Sequence, residues 1–112
     1  MLLGLGKLDQ ILRDPSVTVI ECNGPSQNLS IVRAGQKQFT KISLNSIEIK
    51  EFLEKSATKA HVPLLEGVFK VAVDNYIVNA VVSSVIGSRF ILKKHRVAQY
   101  RELIATQIIK NL

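Results

Sequence analysis

The sequence predicts an α+β domain in which an antiparallel sheet built from hairpins carries its helices on one face. Three observations predict it. Short β-branched runs are separated by turn chemistry, as at Asn23-Gly24-Pro25-Ser26 and Asp74-Asn75, so neighbouring strands are joined as hairpins. The apolar period changes from two in those runs to helical spacing at Ile49, Phe52, Leu53, Ala57 and Ala60. Pro15 and Pro63 stand where one kind of segment gives way to the other. The 112 residues form one domain, 1–112, large enough to bury a core without cross-links.

Taken in order, residues 2–13 place Leu5, Leu8 and Leu12 on one helical stripe flanked by Leu2 and Ile11. Pro15 ends this helix, and 17–22 is a β-branched strand with at least one buried face. After the Gly24-Pro25 turn, Leu29 and Ile31 alternate with Ser30 and Val32 in a returning strand, broken by Arg33-Ala34-Gly35-Gln36. A short third strand, 38–42, lies near an edge guarded by Lys41. Asn45 precedes Glu48 by three residues, the spacing of a capping box, and starts a second helix with Glu51 and Lys55 paired on its wet side. His61-Val62-Pro63 ends it.

A fourth strand alternates Phe69, Val71 and Val73 with Lys70 and Ala72, the Asp74-Asn75 turn returns 76–82 as a fifth, and Gly87 leads into a sixth at 89–93. Residues 97–112 form a last helix with Tyr100, Leu103, Ile104 and Ile108 on one face, extended by Ile109 and Leu112. The order is therefore αβββαβββα. Ile20, Cys22, Leu29, Ile31, Phe52, Leu53, Val71 and Val78 are expected in one core.

Composition excludes several classes of function. Cys22 is the single cysteine, so an intrachain disulfide is ruled out and a reducing compartment is expected. No apolar run reaches the roughly 20 residues of a membrane helix, and the apolar start is interrupted by Lys7 and Asp9. A soluble, cytoplasmic protein is the expectation. Cys22, His61 and His95 have no metal-ligand spacing. Gly4-Leu5-Gly6-Lys7 fails as a phosphate loop, because Met1 stands where its first glycine is needed and Leu8 where a hydroxyl is needed. No cofactor motif and no nucleophile elbow occur, and the 5% aromatic content leaves few stacking platforms for bases.

Charge is the stronger signal. The net charge is +6, and its excess sits at one end, where Arg89, Lys93, Lys94, Arg96, Arg101 and Lys110 face Glu102 alone. The basic patch Arg89, Lys93, Lys94, Arg96 and Arg101 suits phosphates, anionic headgroups or an acidic protein face.

One resemblance ties these pieces together. The Leu-Gly-Leu-Gly start, then Asp14-Pro15-Ser16-Val17-Thr18, the strand to Cys22 and Asn23-Gly24-Pro25 resemble the N-terminal domain of the type II/IV secretion ATPases, the CpaF/TadA/VirB11-like traffic ATPases. The match continues at 74–81 and 90–94, covering most of residues 2–95. In that family the second half of the domain carries Asp-Gly-Ser-Arg-Val-Asn-Ala-Val and then Ile-Arg-Lys, whose arginines reach over nucleotide held by the motor domain. Here the equivalents are Asp74-Asn75-Tyr76-Ile77-Val78-Asn79-Ala80-Val81 and Leu92-Lys93-Lys94. Ile77 replaces the first arginine, and Lys93 replaces the second, keeping charge but losing the planar fork.

The resemblance implies a stand-alone, degenerate, non-catalytic module that assembles with a secretion or pilus ATPase, a platform protein or further copies of itself, in the cytoplasm or peripheral at the inner membrane. Its nucleotide-proximal positions would be Asp74, Asn75, Asn79, Lys93 and Lys94. Its interface would be Ile108, Ile109 and Leu112 on the last helix. The alternative reading is a small basic protein that binds nucleic acid or an anionic surface.

Overall fold

The computed structural model describes residues 6–94. The helix α1 (Gly6–Leu12) precedes three strands, β1 (Val17–Cys22), β2 (Asn28–Arg33) and β3 (Gln36–Ser43). The longer helix α2 (Ser46–Ala60) precedes three more, β4 (Gly67–Val73), β5 (Tyr76–Val82) and β6 (Arg89–Lys94). The six strands form one sheet in the order β3-β2-β1-β6-β5-β4, and every neighbouring pair is antiparallel. Two three-stranded meanders are thus joined through β1 and β6, with β3 and β4 at the edges. The helix expected over 97–112 lies outside the described residues, as does the start of the first helix.

Both helices cover the same face. On β5 and β6 the buried residues alternate as Tyr76, Val78 and Ala80 and as Phe90 and Leu92, which in a strand puts them on one side. They share a core with Leu8, Ile11 and Leu12 of α1 and with Ile49, Phe52, Leu53 and Ala57 of α2. All eight residues expected in that core are buried there. The rings of Phe52 and Phe90 lie 4.5 Å apart at 34°, pinning α2 to the centre of the sheet. Ser56 joins the buried stripe as well, because its hydroxyl donates to the Phe52 carbonyl one turn back (2.9 Å) and needs no other partner.

The turns follow from their residues. Ala34 (φ 51°) and Gly35 (φ 79°) are both left-handed in the two-residue β2–β3 loop, as the twist of a tight hairpin requires. Asp74 takes φ 53° in the β4–β5 turn. Asn45 and Glu48 form the capping box, with Glu48 N–H donating to Asn45 Oδ1 (2.8 Å) and Asn45 N–H donating to Glu48 Oε1 (3.0 Å). α2 ends at His61 in the left-handed conformation (φ 57°), where the Val62 N–H donates back to the Ala57 carbonyl (3.0 Å). The ion pair on the wet side of α2 joins Lys50 to Glu54 (3.9 Å) rather than Glu51 to Lys55. β3 is longer than the expected 38–42, because its pairing with β2 extends to the turn at Gln36.

Among the described residues no helix is long and apolar enough to cross a membrane, and no group of three or more His, Cys, Asp and Glu side chains is placed to hold a metal.

Candidate functional site

The face of the sheet opposite the helices carries Asn79, Arg89 and Lys93. Pairing across all six strands sets them in transverse rows. One row reads Lys37, Val32, Val19, Lys93, Ile77, Ala72, and the next reads Phe39, Ser30, Glu21, Ile91, Asn79, Lys70. Directly paired residues point to the same side, so Lys93 is flanked by Val19 and Ile77. Beyond these rows, Arg89, Val81 and Val68 continue the same face.

This face is open at its margins. Val68 is 89% exposed and Phe39 74%, whereas Val19, Val32, Ile77 and Ile91 at its centre are half-buried. Toward the ends of β1 and β6 it deepens into a groove of about 380 Å³ lined by Glu21, Asn23, Val68, Asn79, Arg89 and Ile91. Among the described residues the cations in and beside these rows are Lys37, Lys70, Arg89 and Lys93. Lys37 is neutralised by Glu21 (3.4 Å), which also accepts from the Ser30 hydroxyl (3.5 Å), and its ammonium lies 5.7 Å from the Phe39 ring centre. Among the described residues Lys70, Arg89 and Lys93 have no acidic partner.

The five expected nucleotide-proximal positions are divided by the fold. Asn79 and Lys93 stand in adjacent rows of the open face. Asn79 is half-buried there without a side-chain hydrogen bond among the described residues, since the open face leaves it within reach of water. Asp74 and Asn75 are the β4–β5 turn, and Asp74 is tied to Lys59 of α2 (3.1 Å). Lys94 faces the helices instead. Its ammonium donates to the carbonyls of Leu12 and Asp14 (2.8 Å each), closing the C-terminal end of α1. Burial holds the Lys94 ammonium below the usual lysine range, with Asp14 pulling the other way.

Of the basic patch, Arg89 and Lys93 lie on the open face, Lys94 is committed to α1, and Arg96 and Arg101 lie outside the described residues. Ile108, Ile109 and Leu112 also lie outside them. Cys22 is buried in the core, where its thiol donates to the Gly24 carbonyl (3.6 Å) and burial pushes its pKa up. It is a packed thiol. Lys7, read as the end of a failed phosphate loop, joins the two helices by donating to Glu48 Oε1 (3.0 Å) and to the Ser43 carbonyl (3.1 Å).

This sheet has a solved counterpart. The crystal structure of the VirB11 ATPase from the Brucella suis type IV secretion system, in complex with sulphate, superposes with a TM-score of 0.72 at 15% sequence identity. The match covers 83% of this chain and 30% of that one, so the chain spans less than a third of the ATPase's length. The fold expected from the N-terminal motifs is therefore found in a secretion ATPase. No protein-family model matches the sequence, and no curated protein does.

The open face itself is not read directly from the strand patterns. Its residues, among them Val19, Glu21, Ile77, Asn79, Ile91 and Lys93, mix apolar and polar types, so no single strand announces a site. The signal lies in the transverse rows, which need the β1–β6 pairing between residues about 70 positions apart in sequence.

Proposed function

We propose that the chain is a non-catalytic assembly or regulatory module of a secretion or type IV pilus-like system, acting on or beside that system's ATPase. The observation that carries this reading is the fold shared with a VirB11 ATPase over 83% of the chain. The residues that depart from the family's pattern support the non-catalytic part. Ile77 and Lys93 are paired neighbours on the open sheet, so both arginine positions of the resembled domain fall together where neither residue offers a bidentate phosphate contact. The 112 residues also contain no phosphate-binding loop.

On this reading the protein contributes surface and not chemistry. It binds a motor or platform protein, or further copies of itself, on the cytoplasmic side. The test is capture of the full chain by a purified secretion ATPase, with ATP hydrolysis followed in the same mixture. The expected result is a complex with hydrolysis by the chain alone at background. A chain that hydrolyses ATP by itself, or that ignores the ATPase while binding nucleic acid, contradicts the proposal.

A further inference from the structure

We propose that the open face of the sheet is a docking surface for an amphipathic helix whose polar flanks are acidic. This names the partner chemistry of the module described above and rests on that reading. The argument begins with an asymmetry of the fold. A sheet buries an apolar face by laying helices on it, and here α1 and α2 are both spent on the face that carries Phe52 and Phe90.

The other face keeps an apolar strip of Val32, Val19, Ile77 and Ile91 running across four adjacent central strands, with Val68 and Phe39 exposed toward its margins. Its cations lie within and around that strip. Lys93 stands between Val19 and Ile77, Lys70 lies on the β4 edge, and Arg89 lies at the groove. The single carboxylate of the two rows, Glu21, is already paired with Lys37. The surface is thus apolar in its floor and positive in its unpaired charge.

Charge complementarity selects the occupant. The chain's own residues 95–112 carry Arg96, Arg101 and Lys110 against Glu102, the same sign as the face, and are a poor match. A bare nucleic acid would satisfy the cations but not the aliphatic strip, and among the described residues of the two rows Phe39 alone offers an aromatic platform. An acidic amphipathic helix answers both features, with its apolar stripe on the strip and its carboxylates on Lys70, Arg89 and Lys93.

The experiment titrates the full 112-residue chain, isotope-labelled, with a synthetic amphipathic helical peptide bearing a leucine stripe flanked by glutamates. Controls are the same peptide with each glutamate changed to glutamine, a single-stranded oligonucleotide, and phosphatidylglycerol vesicles. The acidic peptide is expected to bind, with shift changes centred on Val19, Val32, Ile77 and Ile91. Lys70→Glu with Lys93→Glu should weaken it by roughly tenfold or more, while Lys50→Glu on α2 leaves it unchanged.

Equal binding of the glutamine peptide, shifts confined to α2, or tighter binding of the oligonucleotide or vesicles would each overturn the proposal. Capture of a secretion ATPase by the same variants separates the two readings. If the double variant still captures the ATPase, the face is wrong and the module stands. If the unaltered chain takes the acidic peptide but no ATPase, the face stands and the module is wrong.

Discussion

Ile77 and Lys93 face each other across the β5–β6 ladder, and Val19 stands on the other side of Lys93. Lys93 thus stands between two aliphatic residues, and Ile77 and Lys93 are the positions that the resemblance matches to arginines. Calorimetric titration of the chain with Mg-ATP should therefore show no sub-micromolar binding. Ile77→Arg should fold, because the side chain lies on the open face, and its cost in urea unfolding should stay within about 1 kcal/mol. Tight ATP binding by the unaltered chain would mean that the open face holds phosphate without its arginines.

The core makes a sharper demand. Phe52 is 0% exposed and stacks on Phe90, so Phe52→Ala should cost about 3–5 kcal/mol in denaturant unfolding. A loss below about 1 kcal/mol would detach α2 from the sheet.

Gly87 in the β5–β6 loop packs closely against Pro25. Gly87 has φ 89°, and a Cβ added there would lie 2.7 Å from Pro25 Cδ. Gly87→Ala should destabilise by more than about 1 kcal/mol, since both backbone and space are against it. Adding Pro25→Ala should recover the steric part and leave the backbone part. Full recovery would show that the left-handed φ costs nothing at this position.

Glu48 links stability to pH. The Asn45 N–H and then the Lys7 ammonium hold its carboxyl below the usual range, so the folded state binds that proton less readily than the unfolded chain. Its contribution is present above the unfolded pKa and is lost as pH falls through the lowered folded value. Glu48→Gln should flatten the dependence of Tm on pH below about pH 4.5. An unchanged slope would assign the acid sensitivity to other carboxyls.

Much of this fold is legible in the sequence because its signals are local. Asn45 and Glu48 announce the cap that the structure forms, Ala34-Gly35 and Asp74-Asn75 announce the turns, and the α2 stripe announces the buried side of the helix. What escapes is set by long-range pairing. Lys94 reads as a free cation until β6 brings it to the end of α1, and Lys7, which fails as part of a phosphate loop in the sequence, gains a role only when Glu48 meets it. The open face escapes for the same reason, since Val32, Val19, Lys93 and Ile77 become neighbours only through three strand pairings.

The measurement that tests the central claim most directly is the salt dependence of binding, comparing a purified secretion ATPase with a single-stranded oligonucleotide. A protein-docking module predicts a complex with the ATPase whose affinity changes by less than about tenfold between 50 and 200 mM salt, and only weak retention of the oligonucleotide. Failure to bind the ATPase, together with oligonucleotide affinity falling by about a thousandfold or more over that range, would contradict the account and make the chain a phosphate-backbone binder.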